Sequence, residues 1–181
     1  GMAGSTLAFA LVKSLPHLKV ALIEEQSSPI SKASFDSRSI ALAAASVKEF
    51  EKLDLWQHLK KNACPIEQIH VSDKGHFGKS KLTAKEYQQE ALGYVLEVEY
   101  LGELLDKKLS QLNQVTRFSA SSISALNTAI DKQHITLNNG QTLTCDLLVI
   151  AEGGQSPTRA LAGFSVKVDE YNQHAVIANI A

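Results

Sequence analysis

Cysteine is nearly absent from this chain: Cys64 and Cys145 are the only two in 181 residues, and they stand far apart with no CxxC spacing. That excludes a disulfide framework and a zinc-ribbon site, and it fits a reducing cytosol. The six histidines, at positions 17, 58, 70, 76, 134 and 174, are scattered and form no ligand pair, so no metal is expected. An excess of one charge is also lacking. Lys and Arg number 18 against 19 Asp and Glu, for a net charge of -1. Nothing here would draw a phosphate backbone, and nucleic acid is not an expected partner. Long hydrophobic runs are missing too. The longest near the start, residues 7–12, falls far short of the roughly 20 needed to span a bilayer, and no cationic stretch precedes it as in a secretory signal. There are no internal repeats and no low-complexity linker.

What is present is the composition of a soluble globular protein. With 44% hydrophobic and 20% charged residues, the chain can bury a substantial core as one domain, or as one domain and part of a second. It opens on Gly1-Met2-Ala3-Gly4 and stops inside an apolar, strand-like run that starts at Ala175. Both ends therefore read as cut, and the chain as a fragment.

The pattern along the chain predicts an α/β fold. Residues 2–15 are rich in Ala and Leu, and Pro16 stops them, as expected of a helix that ends before proline. Residues 19–24 read as a buried strand, and residues 27–34 as a polar connection. Over residues 39–53, Ile40, Ala43, Val47, Phe50 and Leu53 recur at helical spacing and predict a second amphipathic helix. Residues 66–72 and 92–97 are strand candidates, with a turn at Asp73-Lys74-Gly75. Residues 100–112 place Leu101, Leu104, Leu105, Lys108 and Leu112 largely on one face of a third helix. Short alternating stretches follow at 115–118, 121–126 and 134–143, the last folded back at Asn138-Asn139-Gly140. The apolar run 146–151, closed by Gly153-Gly154, suits a central parallel strand entering a loop. We expect it, with residues 19–24, in a mainly parallel sheet.

A dinucleotide pyrophosphate needs a helix N-terminus with bare N–H groups, and glycines that let the backbone come close. Gly1 and Gly4 open the first helix with the spacing of the last two glycines of GxGxxG, so Gly1, Met2, Ala3 and Gly4 are candidates for that contact. Glu24 follows Gly4 by 20 residues at the end of the next strand, where this fold places a carboxylate on the ribose hydroxyls. Glu25 competes for the same role. A carboxylate there favours an adenosine with a free 2′-hydroxyl, which FAD and NAD share.

Asp36-Ser-Arg38-Ser-Ile-Ala-Leu-Ala43 is similar to the D-x-R-x-x-A-L segment of the group A flavoprotein monooxygenases, the FAD-dependent aromatic hydroxylases. Asp146-Leu-Leu-Val-Ile-Ala-Glu152-Gly153-Gly-Gln-Ser156-Pro-Thr-Arg159 is the most specific piece. It resembles the family's D-x-L-V-x-A-D-G-x-x-S-x-x-R, with Glu152 in place of the usual Asp. Val71-Ser-Asp-Lys-Gly-His76, Leu92-Gly-Tyr-Val-Leu-Glu97 and His174-Ala-Val-Ile-Ala-Asn179 resemble the quinone-pathway branch, and the likeness runs over essentially the whole chain. One departure is Glu97-Val98-Glu99, which stands where the family commonly has a polar triplet such as Glu-Asn-Arg.

The resemblance implies a Rossmann-like FAD-binding domain, a parallel sheet with helices, carrying an inserted antiparallel β region and truncated at both ends. It divides the chain into an FAD-binding core at 1–72 and 99–163, the start of a substrate-domain insertion at 73–98, and the start of the substrate-domain sheet at 164–181. It implies FAD as cofactor and NAD(P)H as co-substrate. Arg38 would approach the flavin, and Glu152 and Gly153 the pyrophosphate and the path of NAD(P)H; no catalytic side chain is assigned. The implied reaction is hydroxylation, with O2, of a polyprenylated methoxyphenol of ubiquinone biosynthesis. Contact with a bacterial inner membrane would be peripheral, and other proteins of that pathway are the implied partners. The fragment alone is expected to hold FAD poorly and to hydroxylate nothing. Two alternatives stay open: another FAD oxidoreductase of the same fold, and a non-catalytic nucleotide-binding module.

Overall fold

A computed structural model describes residues 1–25, 38–174 and 176. The polar connection at 27–34, Asp36, and most of the final strand-like run lie outside these residues. The chain divides into two compact units, one of residues 1–31 with 105–181, the other of residues 32–104.

The first unit opens with α1 (Met2–Ser14), which ends before Pro16 as predicted. Its buried residues Ser5, Ala8, Phe9 and Val12 follow the i, i+3, i+4, i+7 spacing of one helical face. That face packs on β1 (Val20–Glu24). Strand β1 pairs in parallel with β7 (Val115–Ser119), from Val20 opposite Val115 to Glu24 opposite Ser119. The remaining strands of this unit, β8 (Ile123–Thr128), β9 (Gln133–Leu137) and β10 (Thr142–Cys145), form an antiparallel sheet in the order β10-β9-β8. Gly140, at φ 83°, turns the last hairpin at the predicted place. A short helix, α5 (Pro157–Leu161), begins with Pro157 behind Ser156, where proline's missing N–H costs nothing.

The second unit holds β2 (Ser39–Ala43), α2 (Ala44–Lys52), α3 (Trp56–Leu59), β3 (Cys64–Ile66), β4 (Gln68–Ser72), β5 (Lys79–Thr83) and β6 (Gly93–Glu97). Strands β2 and β3 flank β6 in an antiparallel sheet, while β4 and β5 form a separate hairpin. Leu55, Leu59 and Leu96 are fully buried. Trp56 meets Tyr94 edge-on, with ring centroids 4.7 Å apart. The boundary between the units falls inside α4 (Val98–Ser110), whose Leu101, Leu105 and Leu109 are buried.

Three expectations are corrected. The helix predicted over residues 39–53 begins only at Ala44, because 39–43 pair with β6 as a strand. Ile40, Ala43 and Val47 fit a helical period, but the same stretch alternates exposed and half-buried residues once β6 supplies ladder partners. The second correction concerns residues 147–151, which form no ladder among the described residues; β7 is the parallel partner of β1. An apolar run makes a strand only if a neighbour takes up its backbone groups, and here Leu147 and Val149 stay exposed. Residues 66–72 also differ from expectation in being split, with β3 ending at Ile66 and β4 beginning at Gln68.

Candidate functional site

The N-terminus of α1 carries no side-chain cap and no acidic residue in its first turn. Its first internal bond is donated by the Ser5 N–H to the Gly1 carbonyl at 3.0 Å. The N–H groups ahead of Ser5 therefore point out of the helix with no intrahelical acceptor, and the dipole there favours an anion. Gly1 adds room: a Cβ built on it would meet nothing within 4 Å.

Gly4 answers a packing requirement. A Cβ there would lie 3.4 Å from the Ala151 Cβ and 4.0 Å from Leu22 Cδ1. Glycine thus lets α1 settle against β1 and against the run leading into the Glu152 loop. Glu24, at the end of β1, is half-buried, and its Oε1 accepts from the terminal ammonium of Gly1 at 3.1 Å. Anion-seeking helix terminus and carboxylate are thus neighbours. Glu25, its rival for the ribose role, is exposed at the bend after the strand.

Glu152 is exposed as a residue, yet both its oxygens are engaged. Ser156 Oγ donates to Oε2, the Thr158 N–H donates to the same oxygen at 3.2 Å, and Thr158 Oγ donates to Oε1. Ser156 accepts in turn from the Arg159 N–H at 3.1 Å and caps α5. Arg159 Nη2 donates to the Gly154 carbonyl at 3.0 Å, closing the loop. The longer reach of Glu over Asp is used inside this loop, fastening it to the start of α5. Gly153 has φ 88° and open space where a Cβ would be, so a side chain there would be strained. The backbone beside it is left bare.

Partial burial pushes the Glu152 carboxyl up, but the hydrogen bonds from Ser156 and Thr158, with Arg159 nearby, outweigh it and hold the carboxyl below its usual range. A depressed pKa stabilises the fold above the unfolded value of about 4.3 and loses that contribution as pH falls through the folded value. Glu152→Gln is therefore expected to lower stability at neutral pH and to flatten the acid limb of the unfolding curve, measured by denaturation across pH. An acid limb unchanged in the variant would show that these bonds carry no linkage.

Arg38 belongs to the second unit; it is exposed, and its carbonyl accepts from the Val98 N–H at 2.8 Å. The structure thus brings Gly1, Met2, Ala3, Gly4, Glu24 and the Glu152–Gly153 loop into one unit, and places Arg38 in the other. Two residues near Glu24 escaped the sequence reading. Arg117 Nη2 donates to Glu24 Oε2 at 3.1 Å, and Arg117 Nη1 pairs with Asp106. No spacing rule links positions 93 apart in the chain.

Solved structures of flavin-dependent monooxygenases share this architecture. PqsL of Pseudomonas aeruginosa, in complex with 2-aminobenzoylacetate, superposes with a TM-score of 0.76 at 20% identity, over 94% of this chain and 46% of its own. The flavin-dependent monooxygenase PieE, in complex with FAD and substrate, gives 0.72 at 16% identity over 92% and 31%. The p-nitrophenol 4-monooxygenase PnpA of Pseudomonas putida gives 0.71 at 16% over 89% and 41%. The fold is that of the FAD-dependent monooxygenases, as the motifs led us to expect.

By sequence, the chain is similar to several ubiquinone-pathway hydroxylases. It is 30% identical to ubiquinone hydroxylase UbiL of Rhodospirillum rubrum, over 99% of this chain and 42% of that protein. Ubiquinone biosynthesis monooxygenase COQ6 of Dictyostelium discoideum is 28% identical over 99% and 41%, and 3-demethoxyubiquinol 3-hydroxylase of Escherichia coli 26% over 99% and 46%. The chain thus spans less than half the length of these relatives. No family model matches it. Among the described residues, no helix is long and apolar enough to cross a membrane.

Proposed function

We propose that this chain forms the FAD-binding part of a monooxygenase that hydroxylates a polyprenylated methoxyphenol of ubiquinone biosynthesis, its motifs resembling those of 2-octaprenyl-6-methoxyphenol hydroxylase. The observation that carries the reading is the placing of a strand-end carboxylate beside a helix start that has no side-chain cap: α1 packs on β1, whose last residue is Glu24. That pairing fits a pyrophosphate followed by a ribose. Gly1 to Gly4 would take the pyrophosphate on backbone N–H groups, Glu24 the ribose hydroxyls, and the bare backbone at Gly153 the side facing NAD(P)H. Arg38 would approach the flavin. When bound, the flavin supplies the redox chemistry: reduced by NAD(P)H, it activates O2 for transfer of one oxygen atom to an activated phenol ring. The chain's own part is to bind, orient and exclude water. A peripheral membrane contact and association with other ubiquinone-biosynthesis proteins belong to the same proposal, because the substrate is a lipid.

The test is made in the full-length polypeptide that carries these residues. Purified protein should release FAD on denaturation and oxidise NAD(P)H only when a prenylated phenol is present, with hydroxylated product detected by mass spectrometry. Flavin-free protein that binds only nucleotide would overturn the enzyme reading. Arg38→Ala is expected to impair flavin retention or turnover, while Lys48→Ala, on the exposed face of α2, leaves both near wild type. Equal, near-wild-type hydroxylation by both variants would remove Arg38 from the site.

A further inference from the structure

We propose that Arg117 is a positioning residue for the ribose-binding carboxylate, fixing Glu24 from the neighbouring strand while Asp106 fixes Arg117. The inference rests on the reading of Glu24 as the ribose acceptor and adds how that acceptor is held. In the β1–β7 register Arg117 stands opposite Leu22, two residues before Glu24. Side chains two apart share a face of a strand, so the guanidinium reaches along that face to the strand end.

A lone carboxylate at a strand end is free to swing, and it would repel the pyrophosphate it must sit beside. Arg117 answers both problems. Its Nη2 takes Oε2 of Glu24 at 3.1 Å, which leaves Oε1 as the oxygen that Arg117 does not engage. Its positive charge offsets one of the two carboxylates. The guanidinium uses Nη1 for Asp106 on α4 and Nη2 for Glu24, a fork that the single ammonium of lysine does not reproduce. Asp106 foremost, and Glu24 with it, hold the Arg117 proton more firmly against the opposing pull of partial burial. Arg117 Nε is buried and has no hydrogen-bond partner among the described residues. Leaving a donor unmet is a cost, so this arrangement holds a direction and is not the best-satisfied setting for the arginine. An arginine near the ribose can instead receive a 2′-phosphate, but here both ends of the fork are taken. The site is set for a free 2′-hydroxyl.

The experiment is a double-mutant cycle on FAD affinity in the full-length polypeptide, with melting temperature recorded for each variant. Arg117→Ala is expected to weaken FAD binding roughly tenfold, the scale of a charge-assisted hydrogen bond. In a Glu24→Gln background the same substitution should cause almost no further loss, because Arg117 acts through Glu24. A merely structural arginine would give the same loss in both backgrounds. Arg117→Lys, which keeps the charge and protects against misfolding, should recover only part of the affinity. Additive losses, full recovery by lysine, or wild-type affinity in Arg117→Ala while Glu24→Gln is weakened would each overturn the role of Arg117. Wild-type affinity in Glu24→Gln would instead remove the ribose reading itself, and the positioning role with it.

Discussion

Alanine at Glu24 is expected to weaken FAD binding in the full-length polypeptide by about 1–3 kcal/mol, because the ribose hydroxyls lose a charge-assisted acceptor. The carboxylate is half-buried at the end of β1 and held by Arg117. Removing it also leaves Arg117 with Asp106 as its one carboxylate partner among the described residues. Flavin titration reads the effect directly. Glu25→Ala serves as the control, since Glu25 is exposed beyond the strand. If the loss followed Glu25 and spared Glu24, the ribose role would pass to the neighbour. If neither variant lost affinity, the strand end would have no part in cofactor binding.

The second large effect is on stability. Gly93 starts β6 and pairs with Ala43 of β2 and Ile66 of β3. A Cβ placed on it would stand 2.4 Å from the Leu42 carbonyl oxygen and 3.4 Å from Ala43 Cα. These are backbone atoms of a paired strand and cannot rotate aside. Gly93→Ala must therefore push β2 off β6, at a cost of roughly 2–3 kcal/mol, the range of overpacking in a well-packed interior. Chemical denaturation should show the loss as a lower midpoint with an unchanged slope. Wild-type stability would mean that the two strands part more easily than their register indicates.

Glycine inside a strand signals close backbone approach, but Gly93 is one of ten glycines. Nothing in the sequence says which neighbour comes near it. The partner carbonyl belongs to Leu42, in a stretch whose apolar spacing reads as helix.

By itself, the sequence determined the local elements whose cause is local. Pro16 ends α1, Asn139-Gly140 turns the β9–β10 hairpin, and the leucines of α4 repeat at helical spacing. It also determined the motif order from Gly1 through Glu24 to Glu152–Gly153, whose members fall in one compact unit. Tertiary structure decided the pairings. Strand β7 is parallel to β1, residues 39–43 join β6, and residues 147–151 pair with nothing described. It also decided the use of Glu152, whose extra methylene is spent on Ser156 and Thr158, and the clasp of Glu24 by Arg117 and Asp106. The physical reason is common to all of these. Turn and helix preferences act within a few residues, whereas a ladder partner or an ion pair is chosen by whatever the fold brings alongside, and a single chain's periodicity carries no record of that neighbour.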